Sequence, residues 1–283
     1  MSDANNNRGA SVLLEEHRLL GAQFDESGIP ARYASGRIFE KGFGSSTVLC
    51  DLSHMPTLVF GGDAAESYAS AVFAGERLLP GRCSFEAVLT GDGSLASCPL
   101  LMRTGSQEYV ACDPSPRADV LSGWMSFVSA IEQDGYAPYA GLQMDDATGT
   151  HCVMLLAGAA ANRVLGDYLS QGATLPSVGV VASRNLDAFP CVVSRIPVPE
   201  RYGSAYLVFV PPACAVPLWR SFLSFPEVTP IGADDFRQIV NVTFPWARQL
   251  DSKDAVRIDA KTLAKEGMLR DERDFIGARG VDG

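Results

Sequence analysis

The chain has 283 residues, 47% hydrophobic and 20% charged, with 33 acidic against 23 basic residues and a net charge of −10. That length and apolar content suffice for two cores, or for one core with an elaborate second lobe. The acidic balance offers no footprint for nucleic acid, whose phosphates require clustered Lys and Arg, and no apolar run approaches the ~20 residues of a membrane span.

In chain order, residues 1–10 (MSDANNNRGA) are polar, lack the basic-then-apolar order of a signal peptide, and read as a flexible tail of a cytoplasmic protein. Residues 11–22 follow with helical spacing of Val12, Leu13, Glu16, Leu19 and Leu20, ending at Gly21. The stretch TVLCDLSHMPTLVFGG reads as two strand pieces around a bend, closed by Gly61-Gly62, with Asp63 as the expected N-cap of the helix AAESYASAVFAG. Residues 81–113 read as a meander of three short strands broken at Gly91-Asp92-Gly93 and Gly105-Ser106, and ADVLSGWMSFVSAIEQDG as an amphipathic helix. The order then recurs. THCVMLLAGAAANRVLGDYL is strand, Gly-containing turn and helix, CVVSRIPVPERYGSAYLVFVPP is a strand pair, and ACAVPLWRSFLSF is a helix. Two strand–turn–helix–meander–helix units imply α+β lobes related by internal duplication. Residues 11–250 form this domain, and 251–283 read as a charged C-terminal tail with loops or a short helix.

The seven cysteines are widely spaced, with no C-x-x-C and no Cys/His cluster. Neither a metal site nor a disulfide framework is expected; buried thiols in a reducing compartment are.

Several motifs carry a resemblance. CDLSHM, then VFGGDAAE, LPGR and LTGDG, stand in the order of the D-V-S-H-M strand, G-x-D-A turn, P-G-R and N-E-D-G-G hairpin of the glycine-cleavage T-protein (aminomethyltransferase) superfamily. EEHRLLGA, PARY, SRIPVPERYGSAYLVFVPP, PLWRSFL, PIGADD and DERDFIGARGV are similar to further segments of that family, again in order. The resemblance implies a two-lobed folate-binding α+β fold with tetrahydrofolate in a central hole, and a third, β-barrel lobe absent here.

The resemblance also assigns residues. Met55 suits a flat heteroaromatic ring, and equally a core position; His54 reads as cavity wall or structural rather than as a general base, and the adjacent Ser53 does not make a triad. Phe85 takes the place of the family's pterin-contacting tyrosine, as a stacking surface or as core. Ser97 and Cys98 stand where the family has an aspartate pair, Leu207 where it has a pterin-binding glutamate, and Cys112 opens the segment replacing its N-A-G-N turn. Arg195 is kept, to bind a carboxylate or brace the fold, and Tyr206 is placed on the cavity edge. Asp51, Asp113 and Glu200 are the carboxylates nominated for proton handling. No cysteine stands in Glu272-Arg273-Asp274, which disfavours the iron–sulfur assembly branch with its K-G-C motif. The expected function is tetrahydrofolate-dependent one-carbon transfer, of demethylase type more than true glycine cleavage, from a small donor or a corrinoid or lipoyl carrier protein. A non-catalytic subunit of a larger complex is the alternative.

Overall fold

The computed structural model describes residues 11–33, 43, 46–252 and 254–281; the polar stretch 1–10 lies outside them. The first elements are α1 (Leu14–Leu19), β1 (Ala22–Phe24), β2 (Pro30–Tyr33), β3 (Thr47–Asp51), β4 (Thr57–Gly61) and α2 (Ala65–Val72). Next come β5 (Arg82–Phe85), β6 (Val88–Leu89), β7 (Leu95–Ser97), β8 (Leu100–Arg103), β9 (Glu108–Cys112), α3 (Ala118–Ser129) and β10 (Gln143–Asp146). The second half has β11 (Cys152–Gly158), α4 (Ala161–Gly166), β12 (Val180–Leu186), β13 (Phe189–Ile196), β14 (Ser204–Val210) and α5 (Pro212–Leu223). It ends with β15 (Val228–Ile231), α6 (Ala233–Thr243), α7 (Ala260–Lys265) and α8 (Ala278–Val281).

These elements fall into two compact units with interleaved sequence: Met1–Met55 with Thr148–Pro245, and Pro56–Ala147 with Trp246–Gly283. In the first unit the strands run β12–β13–β14–β11–β3–β15, antiparallel except for the parallel β15–β3 pair. One face of this sheet, carrying Leu49, Met154, Leu156, Val193, Tyr206 and Val208, packs on Val164 and Leu165 of α4 and Leu218, Trp219 and Phe222 of α5. At the end of β11, Gly158 has φ +128°, and a Cβ there would lie 2.1 Å from the Ser46 carbonyl oxygen, so only glycine makes this turn into α4.

The expected apolar face of the first helix is corrected. Leu13, Glu16 and His17 are buried, whereas Val12, Leu19 and Leu20 are exposed. Polar pairing explains the rotation: Arg220 on α5 makes a bidentate bridge to Glu16 (2.7 and 2.8 Å), and His17 bonds to Asp51.

In the second unit the order is β10–β4–β9–β8–β5, antiparallel throughout. Phe60 on β4 stacks on Tyr109 at 5.1 Å, and with Tyr68, Val72, Leu121 and Met125 they fill the core beneath α2 and α3. Asp63 does not cap α2: Ala64 is the N-cap, and the Asp63 carboxylate accepts from Gln107 Nε2 at 3.0 Å. The expected three-strand meander is five strands, because the Gly91–Gly93 turn closes its own β6–β7 hairpin between β5 and β8. The stretch read as a charged tail packs into this unit, burying Met268, Leu269, Arg270 and Phe275.

The duplication is visible in the topology. Each unit runs strand, helix, strand meander, helix (β4-α2-β5-β8-β9-α3 and β11-α4-β12-β13-β14-α5), and the sheet orders β5–β8–β9–β4–β10 and β12–β13–β14–β11–β3 correspond position by position. All seven cysteines are free; six are buried, and Cys214 is half-buried.

Candidate functional site

The SHM stretch sits at the end of β3, and the residue that organises it is Asp51. Its carboxylate accepts from Ser11 Oγ (2.5 Å), His17 Nε2 (2.9 Å), the Ser53 backbone N–H (2.9 Å) and the Ser53 hydroxyl. Ser53 Oγ in turn accepts from the Val153 N–H at 3.1 Å, and His17 Nδ1 lies 2.7 Å from the Tyr33 hydroxyl. Trp219 meets the His17 ring edge-on at 5.2 Å. Burial works to raise the Asp51 pKa, but the bonds from His17, Ser11 and Ser53 outweigh it and hold the carboxyl below the ordinary range. With four donors on two oxygens, the carboxylate has no lone pair left for a substrate proton. Asp51 therefore ties α1 and the 52–55 turn to the sheet, and the proton-handling role expected of it gives way to this bracing role.

The other nominated residues of this unit are dispersed. His54 is half-buried; burial lowers its pKa against the pull of Asp51 and Asp25, so the ring is neutral at pH 7. Met55 is 2% exposed, its N–H bonded to the Leu52 carbonyl. Tyr206 is fully buried on the helix-covered face of the sheet, with its hydroxyl donating to Asn162 Oδ1 at 2.7 Å, which makes it a core residue. Arg195, opposite it in register, lays its guanidinium 5.7 Å from the Tyr206 ring centre and donates to Ser204 Oγ. The contact favours the bracing reading of Arg195. Leu207, on the opposite face from Tyr206, is 3% exposed. Glu200 is exposed in a one-turn helix, Glu200–Tyr202.

In the second unit the structure brings nominated residues together. Ser97 on β7 donates to Asp113 Oδ2 at 2.6 Å, and its oxygen lies 3.1 Å from Ser115 Oγ. Asp113 follows β9 and accepts the Ser115 N–H at 2.9 Å. Burial raises the Asp113 carboxyl above the ordinary carboxylate range, against the bonds from Ser97 and Ser115 and the charge of Arg117. Arg117 itself donates to the carbonyls of Leu95, Ala96, Ser252 and Asp254. Cys112 is buried with Sγ 3.8 Å from Thr57 Oγ1, its thiol pushed up to about 12 chiefly by burial. Burial also raises Cys98, with Asp113 and Glu86 adding to the rise. Phe85 is half-buried at the end of β5, edge-on to Trp246 at 5.7 Å.

Sequence reasoning offers Glu86 only as a stand-in for the family's pterin-binding glutamate and misses its burial: it is fully buried, and its carboxyl accepts the Gly75 N–H at 2.8 Å and the Ser84 hydroxyl. It also missed Arg270, 2% exposed, which donates to the carbonyls of Ser70, Phe73 and Gly75 and to Asp274. A cleft beside Arg270, bounded by Glu66, Arg77, Leu78 and Tyr109, measures about 20 Å³, room for one water and no more. Among the described residues no group of His, Cys, Asp and Glu is arranged to hold a metal ion, and no helix is long and apolar enough to cross a membrane.

Two α+β units with matching strand order, the first carrying the SHM turn at the end of β3, define a T-protein-like fold. The crystal structure of the glycine cleavage system aminomethyltransferase T from Bartonella henselae shares it: TM-score 0.74 at 19% sequence identity, over 95% of this chain and 73% of that one. Heterotetrameric sarcosine oxidase from Corynebacterium sp. U-96, in complex with pyrrole 2-carboxylate, is matched at 14% identity over 79% of this chain and 95% of that one, with a TM-score of 0.40. No family model matches the sequence, and no curated protein does.

Proposed function

We propose that this chain binds tetrahydrofolate and passes a one-carbon unit to it, in a demethylase-type transfer from a small donor or from a corrinoid or lipoyl carrier protein. The observation that carries this reading is the Ser97–Asp113 pair. The resemblance puts a carboxylate at position 97, and this chain has serine there. Asp113, from the end of β9, sets a carboxyl 2.6 Å from that serine oxygen. A buried carboxyl whose proton affinity is raised above the ordinary carboxylate range can hold and release a proton, which a lone hydroxyl does not. Bound tetrahydrofolate would supply the nucleophilic nitrogen; Phe85 would give its pterin a stacking face, and Asp113 would hold or release the proton.

Titration calorimetry with tetrahydrofolate and 5-methyltetrahydrofolate tests the binding, and absence of heat up to millimolar ligand overturns it. With Asp113 as the proton carrier, the affinity of the native protein changes as pH rises past the ordinary carboxylate range, where Asp113 ionises. Asp113→Asn removes that dependence; an unaltered pH profile in the variant sinks the assignment of Asp113.

One observation favours a second reading, a non-catalytic subunit that keeps the fold. Asp51, Ser97, Cys112 and Tyr206 are all buried with partners from within their own unit, as in a core. Folate binding without methyl or aminomethyl turnover on any donor class, including the aminomethylated lipoyl carrier of glycine cleavage, would select it.

A further inference from the structure

Arg117, the N-cap residue of α3, is 6% exposed, and a buried guanidinium is costly unless its donors are met. Here carbonyls meet them. Nε donates to the Ala96 carbonyl at 2.8 Å and Nη2 to that of Leu95 at 2.9 Å, the two residues before Ser97 on β7. Nη1 donates to the carbonyls of Ser252 and Asp254, each at 2.9 Å, and the Leu95 N–H donates to the Val256 carbonyl at 2.7 Å. β7, and Ser97 with it, is therefore held between Arg117 and residues 252–256. Carbonyls orient the guanidinium without neutralising its charge. The backbone of Arg117 reaches the same site. Its N–H donates to Ser115 Oγ at 3.2 Å. The one proton of the Ser97 hydroxyl goes to Asp113 Oδ2, so in the 3.1 Å contact between the two serine oxygens Ser115 is the donor. The bonds run one way, from the Arg117 N–H through Ser115 and Ser97 to the carboxyl.

We propose that Arg117 is the positioning residue of the Ser97–Asp113 pair: it pins β7, directs the serine hydroxyls toward Asp113, and sets a positive charge behind them. This rests on the reading of Asp113 as the proton carrier and adds the residue that acts through it. The groups around Asp113 leave that part to Arg117. Cys98, just after β7, and Cys112, on β9, have thiols pushed up chiefly by burial, and both are neutral at pH 7. Glu86 bears on Cys98 as Asp113 does, and it is itself an acid. From the start of β4 comes only the Pro56 carbonyl, which accepts the Asp113 N–H at 3.0 Å. From the segment beyond α6, Ser252 and Asp254 present carbonyls to Arg117. Burial raises the Asp113 carboxyl, and the donors and the Arg117 charge oppose it. The two contributions of Arg117 are separable, because a lysine keeps the charge and loses the planar fork.

Carbon-13 NMR titration of the Asp113 carboxyl, assigned by its loss in Asp113→Asn, tests this on the folate-free full chain, so the outcome is separate from folate binding, which calorimetry decides. Arg117→Gln removes the charge and is expected to raise the titration midpoint by at least ~0.5 pH unit. Arg117→Lys restores the charge and brings the midpoint at least halfway back to native. Ser115→Ala cuts the hydroxyl chain, leaves the bonds of the guanidinium in place, and also raises the midpoint. Circular dichroism checks that each variant is folded; should Arg117→Gln not fold, Ser115→Ala alone decides. A brace with no hold on Asp113 would lower the melting temperature of both Arg117 variants and leave the midpoint where it is. An unmoved midpoint in Arg117→Gln or in Ser115→Ala, or equal shifts in Arg117→Gln and Arg117→Lys, overturns the assignment of Arg117.

Discussion

Arg270→Ala is expected to unfold the second unit at a temperature roughly 10 °C below that of the native chain, from a loss of about 3–5 kcal/mol. The guanidinium is buried and spends its donors on the carbonyls of Ser70, Phe73 and Gly75 and on Asp274 Oδ1. Those carbonyls lie in and just beyond the last turn of α2, where helix geometry leaves oxygens without partners. Truncation strands all of them in a buried place, at ~1–3 kcal/mol for each group left unsatisfied. The backbone adds to the clamp, because Arg270 N–H donates to the Ala74 carbonyl and Ile276 N–H to that of Ala71. Arg270→Lys keeps the charge but not the planar fork, and recovers less than half of the loss. Differential scanning calorimetry decides it; a melting temperature within 2 °C of native for Arg270→Ala refutes the clamp. The same contacts imply that a chain cut at Leu250 does not keep a stable second unit.

Much of the fold is legible in the sequence because it rests on local signals. Glycines at the strand–helix turns, alternating apolar strands and the recurrence of strand–turn–helix place β3, β4, α2, β11, α4 and α5 near their observed positions. The misses share a physical cause. Leu19 and Leu20 look like core by spacing, yet two hydrogen-bonded polar residues, Glu16 and His17, set the face of α1 through partners 204 and 34 residues away. Arg270 lies in a charge-dense stretch, which periodicity reads as solvated; no pattern announces that one of its charges is enclosed. β10 and β12 escape notice because their burial is mixed, with only Met144 half-buried in QMDD and the polar SRN inside VVASRNL.

The site divides in the same way. The SHM strand and the aromatic after P-G-R are one-dimensional motifs and can be found by eye. Which acid is spare and which is spent depends on hydrogen bonds. Asp51 looks available until four donors are counted on it, and Ser97 looks like a lost acid until Asp113 is seen beside it.

Glu86→Gln is expected to stabilise the chain, and more so as pH rises. The Glu86 carboxyl is fully buried, and burial pushes its pKa up to about 8 against the bonds from Ser84 and Gly75 and the charge of Arg270, with Glu76 pushing the same way as burial. Its unfolded value is 4.5, so between pH 4.5 and about 8 the folded chain holds a proton that the unfolded chain has released. Stability is then fully present below pH 4.5, falls as pH rises through that window, and levels off above it. Each unit of difference corresponds to ~1.4 kcal/mol, so the loss at pH 9 is several kcal/mol. Glutamine is nearly isosteric and neutral in both states. Its carbonyl oxygen can accept the Gly75 N–H as the acid does, and it keeps the close contact with Gly75, where a Cβ would lie 2.1 Å from Glu86 Oε2. Urea midpoints at pH 5, 7 and 9 should therefore separate progressively, with the variant higher and its advantage growing with pH. Parallel curves at all three values would mean that Glu86 stays ionised in the folded chain, paired through Arg270. The effect is separable from Asp113: Asp113→Asn leaves the Glu86 window in place, and because burial raises the Asp113 carboxyl too, the double variant should flatten the profile further than Glu86→Gln alone.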